Sequence, residues 1–347
     1  MAADDNDKFM RRCLELASCA EGMTYPNPLV GAVVVHDGLI IGEGYHQRSG
    51  LPHAEVNAIN SVQDRNRLNE STLYVNLEPC SHFGKTPPCA DFIIASSIPR
   101  VVVGTPDTSS KVSGAGIKKL KEAGISVVTG ILEEKSRWIN RRFFTFNEKR
   151  RPWIVLKWAM SSDGFIDIAR EPGFDAGPTW ISGKPERVLV HRWRSFEQSI
   201  LVGAGTVRTD NPRLNVREWK GHDPLVLILS RSGKISPVSV AGNIIVFSHN
   251  SEVTVPLATV VRLNMEEQSC FQIVKYLYNA GVQSVFIEGG AGVLNHFIMN
   301  NLWDEARIFT GKKQFGKGVK APEHGGTMIS EQEFEGSCLR IYSNVQK

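Results

Sequence analysis

The segment Pro52-His53-Ala54-Glu55-Val56 sets a histidine and a glutamate two residues apart, and EPCSHFGKTPPCADFII adds Cys80 and Cys89. One histidine nitrogen and two cysteine sulfurs suit a tetrahedral zinc ion. Three protein ligands leave the fourth position for water, which marks a reactive zinc rather than a structural one. Glu55 is then free to move protons, so the expected chemistry is a hydrolysis. The bland alternative is a core histidine, a surface glutamate and two incidental thiols. A lone H-x-E would favour that alternative, but LEPC, the second cysteine and two adjacent helix starts weigh against it. A zinc-closed binding module would need a fourth ligand, for which His82 is the nearest candidate.

Two helices must bring these side chains together. His53 and Glu55 open AEVNAINSV, whose apolar spacing is helical, and Cys80 and Cys89 flank the start of the helix CADFIIASS. Two helix N-termini converging on a sheet edge would gather all four groups, and the positive end of a helix favours thiolate. The surrounding segments supply the sheet. LVGAVVVHDGLIIGEGYH reads as two strands joined at Asp37-Gly38, and STLYVNLEP, RVVVGTPD and ISVVTG read as further strands. Residues 7–22 read as a helix, and GAGIKKLKEAG as another that Gly124 ends. Strands alternating with helices predict a mostly parallel sheet covered on its faces.

The charge run and Pro152 in FNEKRRPW mark a boundary between a first domain, 1–148, and a second, 149–347. The second has its own strands (WIVLKWAM, SILVGAGTV running into a turn, PLVLILS, NIIVFS, ATVVRL, SVFIEGG) and helices (KPERVLVHRWRSF, CFQIVKYLYNAG, AGVLNHFIMNNL). Lys157 lies in the first of those strands beside aromatic residues, an uncommon place for an unpaired lysine, and reads as a substrate-side or proton-handling group. EGGAGVLNHF is a glycine-rich turn between strand and helix that could cradle phosphate. Asn295 stands where G-x-G-x-x-G has its last glycine, so taken alone the turn is only tight.

Composition narrows the classes of function. A chain of 347 residues is too long for one ordinary core. Its 41% hydrophobic and 22% charged residues are those of a globular protein, and a net charge of +4 leaves no nucleic-acid footprint. No run approaches the roughly 18 apolar residues of a membrane span, and MAADDNDKFM lacks the apolar core of a signal peptide, so a cytoplasmic location is expected. Six cysteines in such a chain do not suggest a disulfide framework; Cys13, Cys19, Cys270 and Cys338 read as small buried hydrophobes.

H-x-E followed by P-C-x-x-C is the arrangement of zinc deaminases, although eight residues rather than two separate Cys80 from Cys89. TYPNPLVGAVVV, GEGYH, HAEVNAI, YVNLEPCSHFGKTPPCADFII and RVVVG together resemble the bifunctional riboflavin-biosynthesis deaminase/reductase family. The resemblance continues in order through LKWAMSSDGFI, TWISG, HRWRS, ILVGAGTVRTDNPRLNVR and VFIEGGAGVLNHF. It is weakest in the N-terminal extension, in 220–270 and in the tail beyond about 315.

The resemblance implies a cytidine-deaminase-like α/β/α domain followed by a dihydrofolate-reductase-like α/β domain. It implies zinc-dependent deamination of 2,5-diamino-6-ribosylamino-4(3H)-pyrimidinone 5′-phosphate, then NADPH-dependent reduction of the ribosyl group to ribityl. Zinc, one ion per chain, would be held by His53, Cys80 and Cys89, with Glu55 as proton shuttle and Asn27, His46 and Lys85 against the substrate. NADPH would lie on Ala159, Trp180, Thr206 and Asp210 and on the run Gly290, Ala291, Gly292, Val293, Leu294, Asn295 and His296. Pro178, Arg194, Leu214, Arg217 and Glu288 would meet the reductase substrate, Pro178 in place of a frequent serine and therefore with one hydrogen bond fewer. Lys157 and Glu288 are expected to face each other and to share proton handling. Asp107-Thr108-Ser109 replaces the family's usual Asp-Pro-Asn, which bears on local loop contacts. A homo-oligomer through the reductase domain is implied, with no nucleic-acid or membrane partner. The alternative is a zinc deaminase of another pyrimidine or purine with a divergent reductase-like domain, which leaves the second half without a role.

Overall fold

The computed structural model describes residues 3–83, 87–109, 114–170, 177–233, 235, 243–250 and 258–344. The chain divides into two compact units, Met1–Arg150 and Arg151–Lys347.

The first unit runs α1 (Ala3–Ser18), β1 (Gly31–His36), β2 (Leu39–Tyr45), α2 (Ala54–Ser61), β3 (Thr72–Leu77), α3 (Cys89–Ala95), β4 (Arg100–Thr105), α4 (Ala115–Glu122), β5 (Ser126–Thr129), α5 (Glu133–Ile139) and α6 (Arg141–Lys149). The sheet order is β2-β1-β3-β4-β5. Only β3, β4 and β5 are parallel; β1 is antiparallel to both of its neighbours. The expected mostly parallel sheet is therefore mixed, because the Asp37-Gly38 turn, with both residues at positive φ, closes β1 and β2 as a hairpin. Side-chain alternation builds both layers. Ala32, Val34, Leu73, Val75, Val101 and Val103 pack against Ala58, Ile59, Ile93 and Leu120 of α2, α3 and α4. Val33, Val35, Tyr74 and Val102 face Phe9, Met10 and Cys13 of α1.

The helix expected over 7–22 runs instead over Ala3–Ser18. Residues 19–21 tighten into N–H bonds to carbonyls three residues back, and Gly22 leaves the helical region at φ 83°. Helices α5 and α6 escape a sequence reading because their apolar stripe is short: α6 is anchored by Phe143 and Phe144 within a run of charges. Gly44 of β2 has a specific reason to be glycine, since a Cβ there would lie 2.6 Å from Ala58 N. That close approach seats α2 on the hairpin.

The second unit runs β6 (Trp153–Met160), β7 (Phe165–Ile168), α7 (Lys184–Phe196), β8 (Ser199–Gly203), α8 (Ala204–Asp210), β9 (Leu225–Ser230), β10 (Ile244–Ser248), β11 (Ala258–Arg262), α9 (Ser269–Asn279), β12 (Ser284–Ile287), α10 (Ala291–Met299), β13 (Glu305–Gly311), β14 (Gly318–Lys320), β15 (Thr327–Glu333) and β16 (Ser337–Ser343). Its large sheet has the order β11-β10-β9-β8-β12-β6-β13-β16-β15. The strands from β11 to β13 are all parallel, and β16 and β15 close the edge antiparallel. One face packs on α9 and α10 through Ile273, Leu277, Leu294 and Phe297; the other packs on α7 and α8 through Val190, Trp193 and Val207. Arg151 grips Asp304 with two bonds of 2.6 and 2.7 Å, and Asp304 also accepts the Ile154 N–H, which fixes the start of β6 beside β13. The chain winds from β8 outward to β11 and then returns to insert β12 between β8 and β6. Such a reversal opens a crevice at the carboxyl ends of parallel strands.

Candidate functional site

In the first unit His53 is the N-cap of α2 and Glu55 lies in its first turn. Cys80 follows β3 by three residues, and Cys89 is the first residue of α3, entered from Pro88. The two helix starts converge as the spacing suggests. One ligand atom from each of His53, Cys80 and Cys89 lies within 4.8 Å of the others. His53 Nδ1 is 3.2 Å from Cys89 Sγ and 3.5 Å from Cys80 Sγ, while the Cys89 N–H donates to Cys80 Sγ at 3.3 Å. His82 is exposed and stands outside this cluster. A hydrogen bond from Cys89 pulls the Cys80 thiol well below its ordinary pKa, and the same sharing pushes Cys89 up. One imidazole nitrogen and two cysteine sulfurs within reach of one another are a donor set that fits zinc. Glu55 is only 3% exposed, and burial, aided by the nearby Cys80, pushes its carboxyl up to about 7.

Beside the cluster, the His46 and His53 rings meet edge to face at 5.1 Å. His46 Nδ1 lies 3.1 Å from the Pro52 carbonyl, and Asn27 Nδ2 lies 3.0 Å from His46 Nε2. Asn27 and His46 thus form one relay ending next to a ligand. Lys85 lies outside the described residues. A group that sequence reasoning missed is Glu78. Buried at 4% exposure, its carboxylate accepts backbone N–H bonds from Asp107, Gly114, Gly116 and Ile117, at 2.9 to 3.1 Å. It ties the turn before Cys80 to the loop after β4 and to the start of α4. Asp107 itself accepts the Ser109 N–H at 2.7 Å, so the segment that departs from Asp-Pro-Asn still closes a local turn. Glu78 is legible in LEPC only as a neighbour of a cysteine; its four donors come from residues far along the chain.

In the second unit a cavity of about 950 Å³ opens at the carboxyl ends of the parallel strands. Of the residues assigned to a cofactor, Ala159, Trp180, Thr206, Asp210, Gly290, Ala291, Gly292, Val293, Leu294 and His296 line it. Asn295 lies on α10 away from the lining. Thr206 Oγ1 accepts the Gly290 N–H at 2.9 Å, and a Cβ at Gly289 would lie 2.6 Å from Gly203 N. The glycine turn is thereby pressed onto β8, and the first N–H groups of α10 have no carbonyl of the helix to bond. A strand-end crevice with a bare helix N-terminus fits the phosphates of a dinucleotide. Thr179 and Arg170 converge on Asp167, and burial together with Asp167 pushes Asp210 up to about 6.

Pro178, Lys157 and Glu288 also line the cavity. Lys157 and Glu288 lie on neighbouring strand ends, as β12 pairs with β6 through Ile287 and Leu156. The direct ion partner of Glu288 is nevertheless Arg194 of α7, in a two-pronged bridge of 2.6 and 2.9 Å. Burial opposes the Glu288 carboxylate, but Arg194 and then Lys157 outweigh it and hold its pKa low. Lys157 makes no hydrogen bond or ion pair among the described residues, and burial lowers its pKa against the pull of Glu288. Leu214 is buried, whereas Arg217 donates its backbone N–H to His191 and its side chain to Asn215; neither lines the cavity.

The chain matches the family model of the RibD C-terminal domain over residues 152–338 and that of the cytidine and deoxycytidylate deaminase zinc-binding region over residues 3–105. The riboflavin biosynthesis protein RibD of Aquifex aeolicus is 37% identical over 340 residues, covering 95% of this chain and 94% of that protein. A crystal structure of the diaminohydroxyphosphoribosylaminopyrimidine deaminase/5-amino-6-(5-phosphoribosylamino)uracil reductase of Thermotoga maritima is 36% identical with a TM-score of 0.89, covering 98% of this chain and 99% of that one. Acinetobacter baumannii RibD is 28% identical with a TM-score of 0.86, covering 99% and 100%. The architecture is accordingly a cytidine-deaminase-like zinc-binding domain followed by a reductase domain with a dihydrofolate-reductase-like fold. No helix among the described residues is long and apolar enough to cross a membrane. With both domains matched in order along one polypeptide, the chain belongs to the RibD family of bifunctional riboflavin-biosynthesis enzymes, a zinc-binding deaminase joined to a reductase.

Proposed function

We propose that the protein deaminates 2,5-diamino-6-ribosylamino-4(3H)-pyrimidinone 5′-phosphate at the first site and reduces the ribosyl group of the product at the second. The observation that carries this reading is the three-ligand cluster beside a buried glutamate, in one chain with a dinucleotide-sized cavity. His53, Cys80 and Cys89 would hold one zinc ion, which when bound makes water a nucleophile at neutral pH. Glu55 takes the proton released as the amidine carbon is attacked and returns it to the departing amine. Its carboxyl is buried beside the cluster, which places it to make both halves of that exchange. Asn27 orients His46, and both face the pyrimidine; Lys85 is assigned to the substrate phosphate as a mobile point charge.

At the second site NADPH supplies the hydride. Ala159, Trp180, Thr206, Asp210, Gly290, Ala291, Gly292, Val293, Leu294 and His296 would bind it, while Pro178 and the Arg194–Glu288 pair would set the substrate side; Asn295, Leu214 and Arg217, off the cavity lining, would act through their neighbours. Lys157, which makes no hydrogen bond or ion pair among the described residues, hands over a proton as the ribosylamine opens. The test is incubation of the purified protein with the diaminopyrimidinone ribotide, with and without NADPH, and identification of the products by mass. The deaminated compound should accumulate without NADPH and the deaminated, ribityl compound with it; unchanged ribotide in both would overturn the reading.

The two domains act independently in this account. A fragment starting at Arg151 should fold and reduce the deaminated ribotide on its own. Insoluble or inactive fragments at several neighbouring starts would argue against it. We also infer a homo-oligomer joined through the reductase domain. In support, β15 is an edge strand with all seven residues exposed, Met328 and Ile329 among them. Sedimentation at micromolar concentration should show more than a monomer, and a monomer would refute this.

A further inference from the structure

Of the three groups that converge on the first site, two sit on regular elements: His53 caps α2 and Cys89 opens α3. Cys80 lies in neither helix nor strand. Something else must hold it, and the nearest fixed point along the chain is Glu78. Its N–H donates to the Thr105 carbonyl at 3.0 Å, just past the last paired residues of β3 and β4. One carboxylate oxygen, Oε2, accepts the N–H groups of Asp107 and Gly114 at 3.0 and 3.1 Å. The other, Oε1, accepts those of Gly116 and Ile117 at 2.9 and 3.1 Å. Gly114 is the N-cap of α4 and has no side chain with which to cap it. Gly116 and Ile117 are the second and third residues of that helix, whose N–H groups a capping side chain normally serves. Glu78 therefore caps α4 from another part of the chain. Among the described residues no lysine, arginine or histidine bonds this buried carboxylate, so backbone N–H groups alone compensate its removal from water.

We propose that Glu78 is a positioning residue of the metal site: its clamp on the start of α4 sets the place of Cys80, and with it the affinity and geometry of the site. The inference rests on the reading that His53, Cys80 and Cys89 hold zinc. Only Pro79 separates Glu78 from Cys80. Its ring fixes φ and disfavours helical backbone at Glu78, so few torsions stay free between the anchored carboxylate and the ligand. The same stretch is pressed against α4, since a Cβ at Gly116 would overlap the Pro79 carbonyl oxygen. On its other side the Cys80 carbonyl accepts the Ala90 N–H at 3.0 Å, and Cys80 Sγ accepts the Cys89 N–H at 3.3 Å. Cys80 is thus strung between the start of α4 and the start of α3. With the α4 anchor released, only the α3 side would keep the sulfur beside His53, where it lies 3.5 Å from Nδ1. Groups that orient a ligand without touching the ion contribute roughly 10- to 100-fold to metal affinity.

Zinc affinity of the full-length protein, measured by competition with a chromophoric chelator, tests this, together with the visible spectrum of the cobalt-substituted protein. Glu78→Gln keeps the size of the side chain but turns an amide towards two of the N–H groups. It should bind zinc about 10- to 100-fold more weakly than the parent and shift the cobalt spectrum. Gly116→Ala leaves the carboxylate in place and wedges α4 off Pro79, so it should weaken zinc in the same direction. Ile125→Ala is the control. It removes core packing just past the opposite end of α4, and should lower the melting temperature while zinc affinity and the cobalt spectrum stay at parent values. Parent-like zinc affinity in Glu78→Gln, or in Gly116→Ala should Glu78→Gln fail to fold, would overturn the assignment. A loss in Ile125→Ala as large as in the other two would also overturn it, because general loosening of the domain would then explain all three. A parent that binds no zinc would overturn the metal reading and the proposal together.

Discussion

Glu55→Gln should yield a folded protein that retains one zinc ion per chain and deaminates the ribotide about 10²- to 10⁴-fold more slowly, the range of a lost general acid–base. Glutamine keeps the size and the hydrogen-bonding shape of the side chain but cannot carry the proton. The replacement also removes a carboxyl that burial already disfavours in its charged form, so the fold should tolerate it. Cys89→Ala is the informative contrast. It takes away one of three ligands and should lose the metal and the activity together. Metal content by elemental analysis separates the two outcomes, and reduction of separately supplied deaminated ribotide serves as the internal control. Deamination near the parent rate by a zinc-loaded Glu55→Gln protein would remove Glu55 from the chemistry.

The sequence shows the first site well because its residues lie at the starts of two short helices. Local spacing sets His53 and Glu55 on one turn, and Cys89 opens the next helix, so their convergence needs only the sheet between them. The Asn27–His46 contact is less legible, since it joins a loop before β1 to the end of β2. Glu78 is illegible for the same reason, its four donors lying across another loop. In the second half the strands with continuous apolar runs are plain, while β15 carries no burial alternation at all and β16 alternates poorly. A sequence pattern reports burial on one face, and an exposed edge strand has none to report. The Arg194–Glu288 bridge spans 94 residues and depends on α7 crossing the end of β12. Lys157 and Glu288, expected to face each other and share proton handling, both line the cavity, and the ion pair of Glu288 is made with Arg194 of a helix.

That bridge changes what substitutions in the reductase pocket should do. Arg194 and Glu288 are both largely buried and doubly bonded, so removing one leaves a charge buried and alone. Arg194→Met should therefore cost roughly 3–5 kcal/mol, seen as a fall of roughly 6–20 °C in the melting temperature of the second domain. Glu288→Gln should do the same in part, since glutamine can still accept one bond from the guanidinium. Lys157→Met is expected to behave differently. The lysine is only half-buried, has no fixed partner among the described residues, and already has its ammonium disfavoured by burial. Exchanging it for an isosteric apolar chain should leave the melting temperature nearly unchanged. If Lys157 hands a proton to the opening sugar, single-turnover hydride transfer should slow by about 10²-fold or more while NADPH affinity holds. Because Glu288 raises the lysine's proton affinity and Arg194 lowers it, Glu288→Gln should also shift the pH profile of reduction to lower pH, the lysine losing its proton more readily. An unshifted profile would mean that Glu288 acts only as a strut for α7. Reduction at the parent rate by Lys157→Met would take the lysine out of the reaction and leave proton delivery to water.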